Sequence, residues 1–337
     1  LEVGHFAVDL YYVIYPLLFI GTVLMAIGFH SVPIILPFGG VTVLIALSIF
    51  LFETSLTIKK VEKYNFVILS VLIANIFLAI GMIFGIIMAL GYAGVIIVDI
   101  PALLHAHIFL VFVGYVGVTI MGMSLILLPM FWLSHSFSWD YVKSALVILA
   151  LGVISIALSP ILNILILDTI GYILSIIAST LYFYQVYIIY KKRVRIENDI
   201  YFKSLIFSYI SLLTALILGM SYLVAPSEKL IISTGWLLIG GYISFLIVGH
   251  LYKIVPFLVW YERFSPLVGK EKVPMLADMI PQKSANLQFW LNSIGIIITT
   301  LGILFESNEI FYSGVSFLSM GSLFVLKDII YMIRFKS

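Results

Sequence analysis

Long unbroken apolar runs alternate with short polar junctions along the whole chain. The runs predict ten helices, over 9–30, 34–57, 65–91, 102–133, 141–159, 163–190, 202–224, 230–261, 286–305 and 309–333. A helix crosses a bilayer with about 20 apolar residues, and each run is close to that length or longer. A membrane β-barrel would instead show short segments of alternating polarity, so continuous runs argue against one. The pattern therefore predicts an all-α polytopic integral membrane helical bundle of about ten transmembrane helices, forming a single transmembrane domain over 1–337. The longest polar junction, 262–285, reads ERFSPLVGKEKVPMLADMIPQKSA and is expected to be a cytoplasmic loop, a solvated connector or a docking segment. No internal repeat and no low-complexity tract stands out. The first span lacks the basic flank of a signal peptide and is too long for one.

Composition sharpens this picture. Hydrophobic types make up 63% of the 337 residues and charged types 10%; mean hydropathy is +1.21. A soluble domain carries roughly 25% charge, so a water-soluble fold is excluded. A net charge of +2 gives no case for nucleic acid. The absence of cysteine excludes disulfides, iron–sulfur clusters, thiolate haem ligation and cysteine nucleophiles. It also leaves no attachment motif for haem c. No glycine loop followed by lysine is present to bind nucleotide phosphates.

Basic residues set the expected orientation. Lys59, Lys60 and Lys63, then Lys143, then Lys191, Lys192, Arg193, Arg195 and Lys203, then Arg263, Lys270, Lys272 and Lys283, and finally Arg334 and Lys336 all fall on one side of a ten-helix arrangement. Only Lys229 falls on the other. The expectation is a multi-pass protein of the cell's inner (plasma) membrane with both termini cytoplasmic and the lipid bilayer as its first partner.

Ionisable side chains inside a bilayer are functional candidates by default. The six histidines are His5, His30, His105, His107, His135 and His250, and neutral imidazole is a good ligand for haem iron and copper. His105 and His107 open the fourth helix. Residues two apart on a helix point about 200° apart, so the pair serves two sites on opposite faces, or one residue ligates while the other hydrogen-bonds. Polar residues at a membrane interface account for the pair equally well. Gly114, Gly117, Gly122 and Pro129 follow. Such a small-residue spine admits either a neighbouring helix or a flat ring. Asp99, just ahead of the pair, is a candidate to orient an imidazole or join a copper site.

The string HAHIFLVFVGYVGVTIMGMSLILLP resembles the histidine-bearing helix of the haem-copper oxidase and nitric oxide reductase catalytic subunit, over about 25 residues. In that family an HxH pair is followed by G-x-x-G-x-x-x-x-G and a proline, and both histidines are haem ligands. Either His107 or His105 takes the place of the family's first histidine; the glycine spacing matches with His107 there. The resemblance implies a b-type haem held by His105, His107, Gly114 and Gly117, with His30 as the next axial candidate. It also implies partners among respiratory-complex subunits or a cytochrome or copper electron donor. The departure is as informative: the adjacent His-His pair that binds copper in the family has no counterpart, so a complete oxygen-reducing site is not expected.

A second distinctive stretch is GGYISFLIVGHLYKIVPFLVWYERF. His250 and Lys253 lie three apart and share a helical face. Pro256 frees a backbone carbonyl, and Trp260 and Tyr261 read as an interfacial anchor. A proton path, a quinone pocket or a second haem site fits these residues. So does a lysine that snorkels to the aqueous face. The functional expectation is a haem-b-binding subunit-I-like protein of respiratory electron transfer. A proton- or metal-linked transporter and a cofactor-free structural or assembly subunit are its competitors.

Overall fold

A computed structural model describes residues 7–195 and 198–336. The protein is helical throughout, with no strand among the described residues. Among the described residues, ten helices are long and apolar enough to cross a membrane. They are α1 (Tyr11–His30), α2 (Leu36–Lys59), α3 (Phe66–Tyr92), α4 (Ile100–Trp132), α5 (Asp140–Leu162), α6 (Ile166–Lys191), α7 (Ile200–Val224), α8 (Glu228–Arg263), α9 (Gln282–Leu304) and α10 (Asn308–Ile333). Their outward faces carry large apolar side chains such as Phe19, Phe38, Leu165 and Leu323, the surface a lipid environment requires. The chain is an all-α polytopic bundle.

The helices gather into two compact units, 1–195 and 196–337. In the first, α1 and α2 form a hairpin and α2 packs on α3. Then α3 packs along α4, and α5 pairs with α6. In the second, α7 packs along α8, and α9 pairs with α10. The second unit's core is Ile200, Leu237, Phe245, Tyr252, Phe289 and Met332.

Read side by side, α3–α6 and α7–α10 are the same four-helix module, so the expectation of no internal repeat is corrected. Helix α4 runs as α-helix to Ile108, widens to a π-helix over Phe109–Gly117 and returns to α-helix at Val118. Helix α8 does the same, with its π-helix at Leu237–Ile243. Both carry the string G-Y-x6-G-x6-P: Gly114, Tyr115, Gly122 and Pro129 in one, Gly241, Tyr242, Gly249 and Pro256 in the other.

The packing partners correspond as well. A Cβ on Gly122 would strike Ser70 of α3, and one on Gly249 would sit 3.0 Å from Ser204 of α7. Asn65 caps α3 by accepting from the Ile68 amide at 2.9 Å; Asp199 caps α7 by accepting from the Phe202 amide at 2.9 Å. In α5–α6, Gly152 meets the Gly171 carbonyl; in α9–α10, Gly295 meets the Gly314 carbonyl, each 3.0 Å from where a Cβ would stand. Both hairpins turn on one left-handed residue, Asn163 (φ 57°) and Glu306 (φ 55°). The amide that follows bonds a carbonyl in the preceding turn: Ile164 to Ser159, and Ser307 to Gly302. Close helix approach needs small residues at fixed points, and both modules place them identically.

The junction expected over 262–285 is shorter, because α8 reaches Arg263 and α9 begins at Gln282. It is folded against its own unit. Met279 is fully buried with Val259 and Phe264, and the Trp260 indole donates to the Pro274 carbonyl at 2.9 Å. Trp260 therefore holds this loop.

Candidate functional site

Helix α4 starts at Asp99, whose carboxylate accepts from the Ala102 amide at 3.2 Å. Asp99 is thus a helix cap, and a different group orients the imidazole. Ala106 faces the core and is fully buried. Its neighbours consequently lie on either side of the buried stripe: His105 is exposed and His107 half-buried.

His107 is the histidine that the first unit builds around. Its Nδ1 lies 2.8 Å from the Gly81 carbonyl of α3. A carbonyl only accepts, so Nδ1 carries the proton. In the neutral ring this leaves Nε2 as a lone-pair base. The ring sits in a notch made by Gly85, where a Cβ would stand 3.0 Å from Cε1. Position, tautomer and ring plane are thus all set by two glycines one turn apart on α3. No described side chain bonds Nε2.

The other predicted ligands do not join it. His30 is the last residue of α1 and is exposed. Helix α1 packs on α2, where Gly21 and Gly28 meet Val43 and Leu36, and α1 has no extensive contact with α4. His105 points away from His107's notch. His135 lies beyond the far end of α4, roughly 40 Å along the axis at 1.5 Å per residue. His5 lies outside the described residues. No group of three histidine, aspartate or glutamate side chains gathers to hold a metal among the described residues.

The two candidate cradle glycines divide. Gly114 is filled by Phe77 of α3, 2.9 Å from where its Cβ would be, so it serves helix packing. Gly117 has its nearest neighbours at 3.5 and 3.7 Å and makes no such close approach.

In the second unit, His250 and Lys253 do share a face, directed at the start of α7. The His250 Nδ1 lies 2.7 Å from the Leu246 carbonyl of its own helix, and its ring meets Tyr201 edge-on at 5.1 Å. The Lys253 ammonium lies 2.5 Å from the Asp199 carboxylate and 5.6 Å from the Tyr201 ring centre. Their side chains are 14% and 20% exposed, so Lys253 is paired within the protein and does not snorkel away. Sequence reasoning missed Asp199 as this partner. Its helix-cap position ahead of an apolar run was the available signal.

Asp328 of α10 is fully buried and accepts from the Tyr252 hydroxyl at 2.7 Å. The chain was compared with family models and with curated proteins, and no match was found in either comparison.

Proposed function

We propose that the chain is an inner-membrane protein of respiratory electron transfer, acting alone or as a subunit, in which His107 would hold a b-type haem. One observation carries this reading. The His107 Nδ1 proton is committed to the Gly81 carbonyl, with Nε2 left unbonded. Metal-bound histidines characteristically donate their second ring nitrogen to a carbonyl or carboxylate, which fixes the tautomer and raises ligand basicity. A two-histidine haem within this unit does not fit, because His30 and His105 lie apart from that notch. A haem with one histidine from this chain fits the donor set. Bound there, it would supply one-electron chemistry. The residues of the chain orient the imidazole, and no group of three ligating side chains gathers beside it among the described residues.

The basic junctions support cytoplasmic termini: with ten spans, every lysine- and arginine-rich junction falls on the same side, leaving Lys229 alone opposite.

The test is an oxidised and dithionite-reduced spectrum of purified protein with haem quantitation, for wild type and for His107→Ala, His105→Ala and His30→Ala. The expected result is a b-type α-band lost in His107→Ala and kept in the other two. A folded wild type that stays colourless after haem reconstitution overturns the proposal, and flux assays in liposomes would then take up the proton- or metal-linked transport alternative.

A further inference from the structure

The two modules differ at one end of their last hairpin, where α5 and α9 begin and α6 and α10 finish. The glycine crossings, Gly152 with Gly171 and Gly295 with Gly314, align the hairpins residue by residue. In the first, Tyr141 and Tyr184 meet edge-on with ring centres 4.8 Å apart. Ser284 and Lys327 stand at the places of those tyrosines, and Lys283 stands at the place of Asp140. The two positions still meet, since the Lys327 ammonium lies 3.4 Å from the Ser284 hydroxyl. Where the first hairpin has two rings and an acid, the second therefore has a short hydroxyl and two lysines. An open groove of about 550 Å³ lies there between α9 and α10.

The groove sorts its lining by depth. Lys283 and Ser284 stand in the first turn of α9, and Leu287 follows about one turn further in. On α10, Lys327 lies nearer the helix end and Phe324 about one turn further in. Both helices thus place cations toward the end of the hairpin and apolar side chains toward its middle. The charge is of one sign. Both lysines are exposed, and no carboxylate pairs with either among the described residues. No acidic side chain lines the groove. The acids nearest in sequence are engaged elsewhere: Asp278 accepts from the Met275 amide at 2.9 Å, and Asp328 accepts from Tyr252 at 2.7 Å. Pro281, at the cap of α9, gives its first-turn amides no side-chain acceptor, so the helix end adds partial positive charge at the same place.

We propose that this groove binds an anionic glycerophospholipid of the surrounding bilayer. The phosphate lies between the Lys283 and Lys327 ammonium groups and accepts from the Ser284 hydroxyl, and an acyl chain runs inward over Leu287 and Phe324. Basic pockets between membrane helices recognise anionic headgroups in this way. Two cations without an acid suit a headgroup of net negative charge, because the ammonium of a zwitterionic lipid would find no carboxylate to meet. The apolar inner half of the groove favours a lipid over a free anion, which would leave Leu287 and Phe324 uncovered. The proposal stands independently of the haem reading.

The test is native mass spectrometry of the delipidated full chain in detergent, titrated with phosphatidylglycerol or with phosphatidylcholine of the same acyl chains. Wild type should bind one phosphatidylglycerol more tightly than any phosphatidylcholine. Lys283→Gln combined with Lys327→Gln should weaken that phosphatidylglycerol roughly 30-fold, from a factor of about 5 for each lysine, and leave phosphatidylcholine unchanged. Lys270→Gln combined with Lys272→Gln removes equal charge from residues that do not line the groove and should change neither lipid. Ser284→Tyr combined with Lys327→Tyr installs the first module's pair of rings and should abolish the tight phosphatidylglycerol. Equal binding of the two lipids by wild type overturns the proposal. So does an equal loss in the Lys270 and Lys272 variant, which marks diffuse surface charge. Displacement of phosphatidylglycerol by millimolar inorganic phosphate marks a free-anion site and also overturns it. If the tyrosine variant does not fold, the glutamine pair decides, since it alters only exposed side chains, and an unchanged phosphatidylglycerol affinity there refutes the assignment.

Discussion

The ion pair between Asp199 and Lys253 has a counterpart without charge in the other module, where Asn65 caps α3 and Ile126 stands at the place of Lys253. That correspondence makes a quantitative test. At 2.5 Å and an effective dielectric of about 20, the gross attraction is roughly 7 kcal/mol. Desolvation of two largely buried ions cancels most of it, so the net worth of the pair is small, while stranding one partner costs about 3 kcal/mol.

The two single variants should not be equal. Asp199 sits at the N-terminus of α7, where backbone amides favour negative charge and disfavour positive charge. Lys253→Ile leaves the Asp199 carboxylate in the favourable field of its helix end and should cost about 2 kcal/mol. Asp199→Asn keeps the cap, since asparagine and aspartate cap comparably. It leaves a lone ammonium against that same helix end, and should cost about 3 kcal/mol. The double variant restores the first module's combination and should lie within about 1 kcal/mol of wild type, a coupling of roughly 4–6 kcal/mol. Reversible unfolding in mixed micelles titrated with SDS, followed by tryptophan fluorescence, gives all four values. Additive losses would refute the argument, and so would a lysine variant that is the worse of the two singles.

Further outcomes follow from the packing and the topology. Gly314→Ala would bring a Cβ to 2.5 Å from the Thr299 backbone nitrogen and should destabilise by about 1–3 kcal/mol. Gly235→Ala meets nothing within 4 Å and should stabilise α8 by about 0.5–1 kcal/mol through helix propensity; equal losses in the same unfolding assay would refute the distinction. Glu306 holds φ at 55°, so Glu306→Gly should gain about 0.5–1 kcal/mol, its exposed pair with Lys229 offsetting little. Because the chain has no cysteine, single cysteines at Lys270 and Glu306 report sidedness directly. An impermeant maleimide on intact cells should label position 306 and spare 270, and the reverse pattern would invert the topology.

The ten helices were legible because lipid-facing helices are apolar all round and their junctions are not. Hydropathy alone finds them to within a few residues at most ends. The placement of His105 and His107 on different faces also followed from helical geometry. What helical geometry could not supply was the neighbour. Gly81 and Gly85 look like any glycines in α3 until α4 is laid against them. The pairing of His30 with the fourth helix failed for the same reason, since it assumed an adjacency that no local pattern encodes. The repeat stayed hidden because what the modules share is sparse: a Gly-Tyr, a glycine and a proline on one helix, plus small residues on the others. Between these fixed points any apolar residue of suitable size packs, so the identities differ while the contacts agree.

That freedom bears on where chemistry can reside. A module whose fold is secured by small residues at helix crossings and by capped ends does not depend on the identity of its remaining buried positions. Those positions are free to become polar one copy at a time. In the first unit the substitution is at the start of the π-containing helix: His107 lies in the Gly85 notch, where the second unit has Thr234 beside Gly219. In the second unit the substitutions lie past the π-helix, at His250, Tyr252 and Lys253, with Asp199 and Asp328 answering from the neighbouring helices. Each set places a titratable group at a position that its counterpart fills with a neutral side chain. Each therefore adds a desolvation burden that the fold does not require. Polar residues that the architecture can do without are the ones for which a functional reason is needed, and here they fall at different points of the two modules: a single oriented imidazole in the first, and a buried carboxyl with its hydrogen-bonded tyrosine in the second.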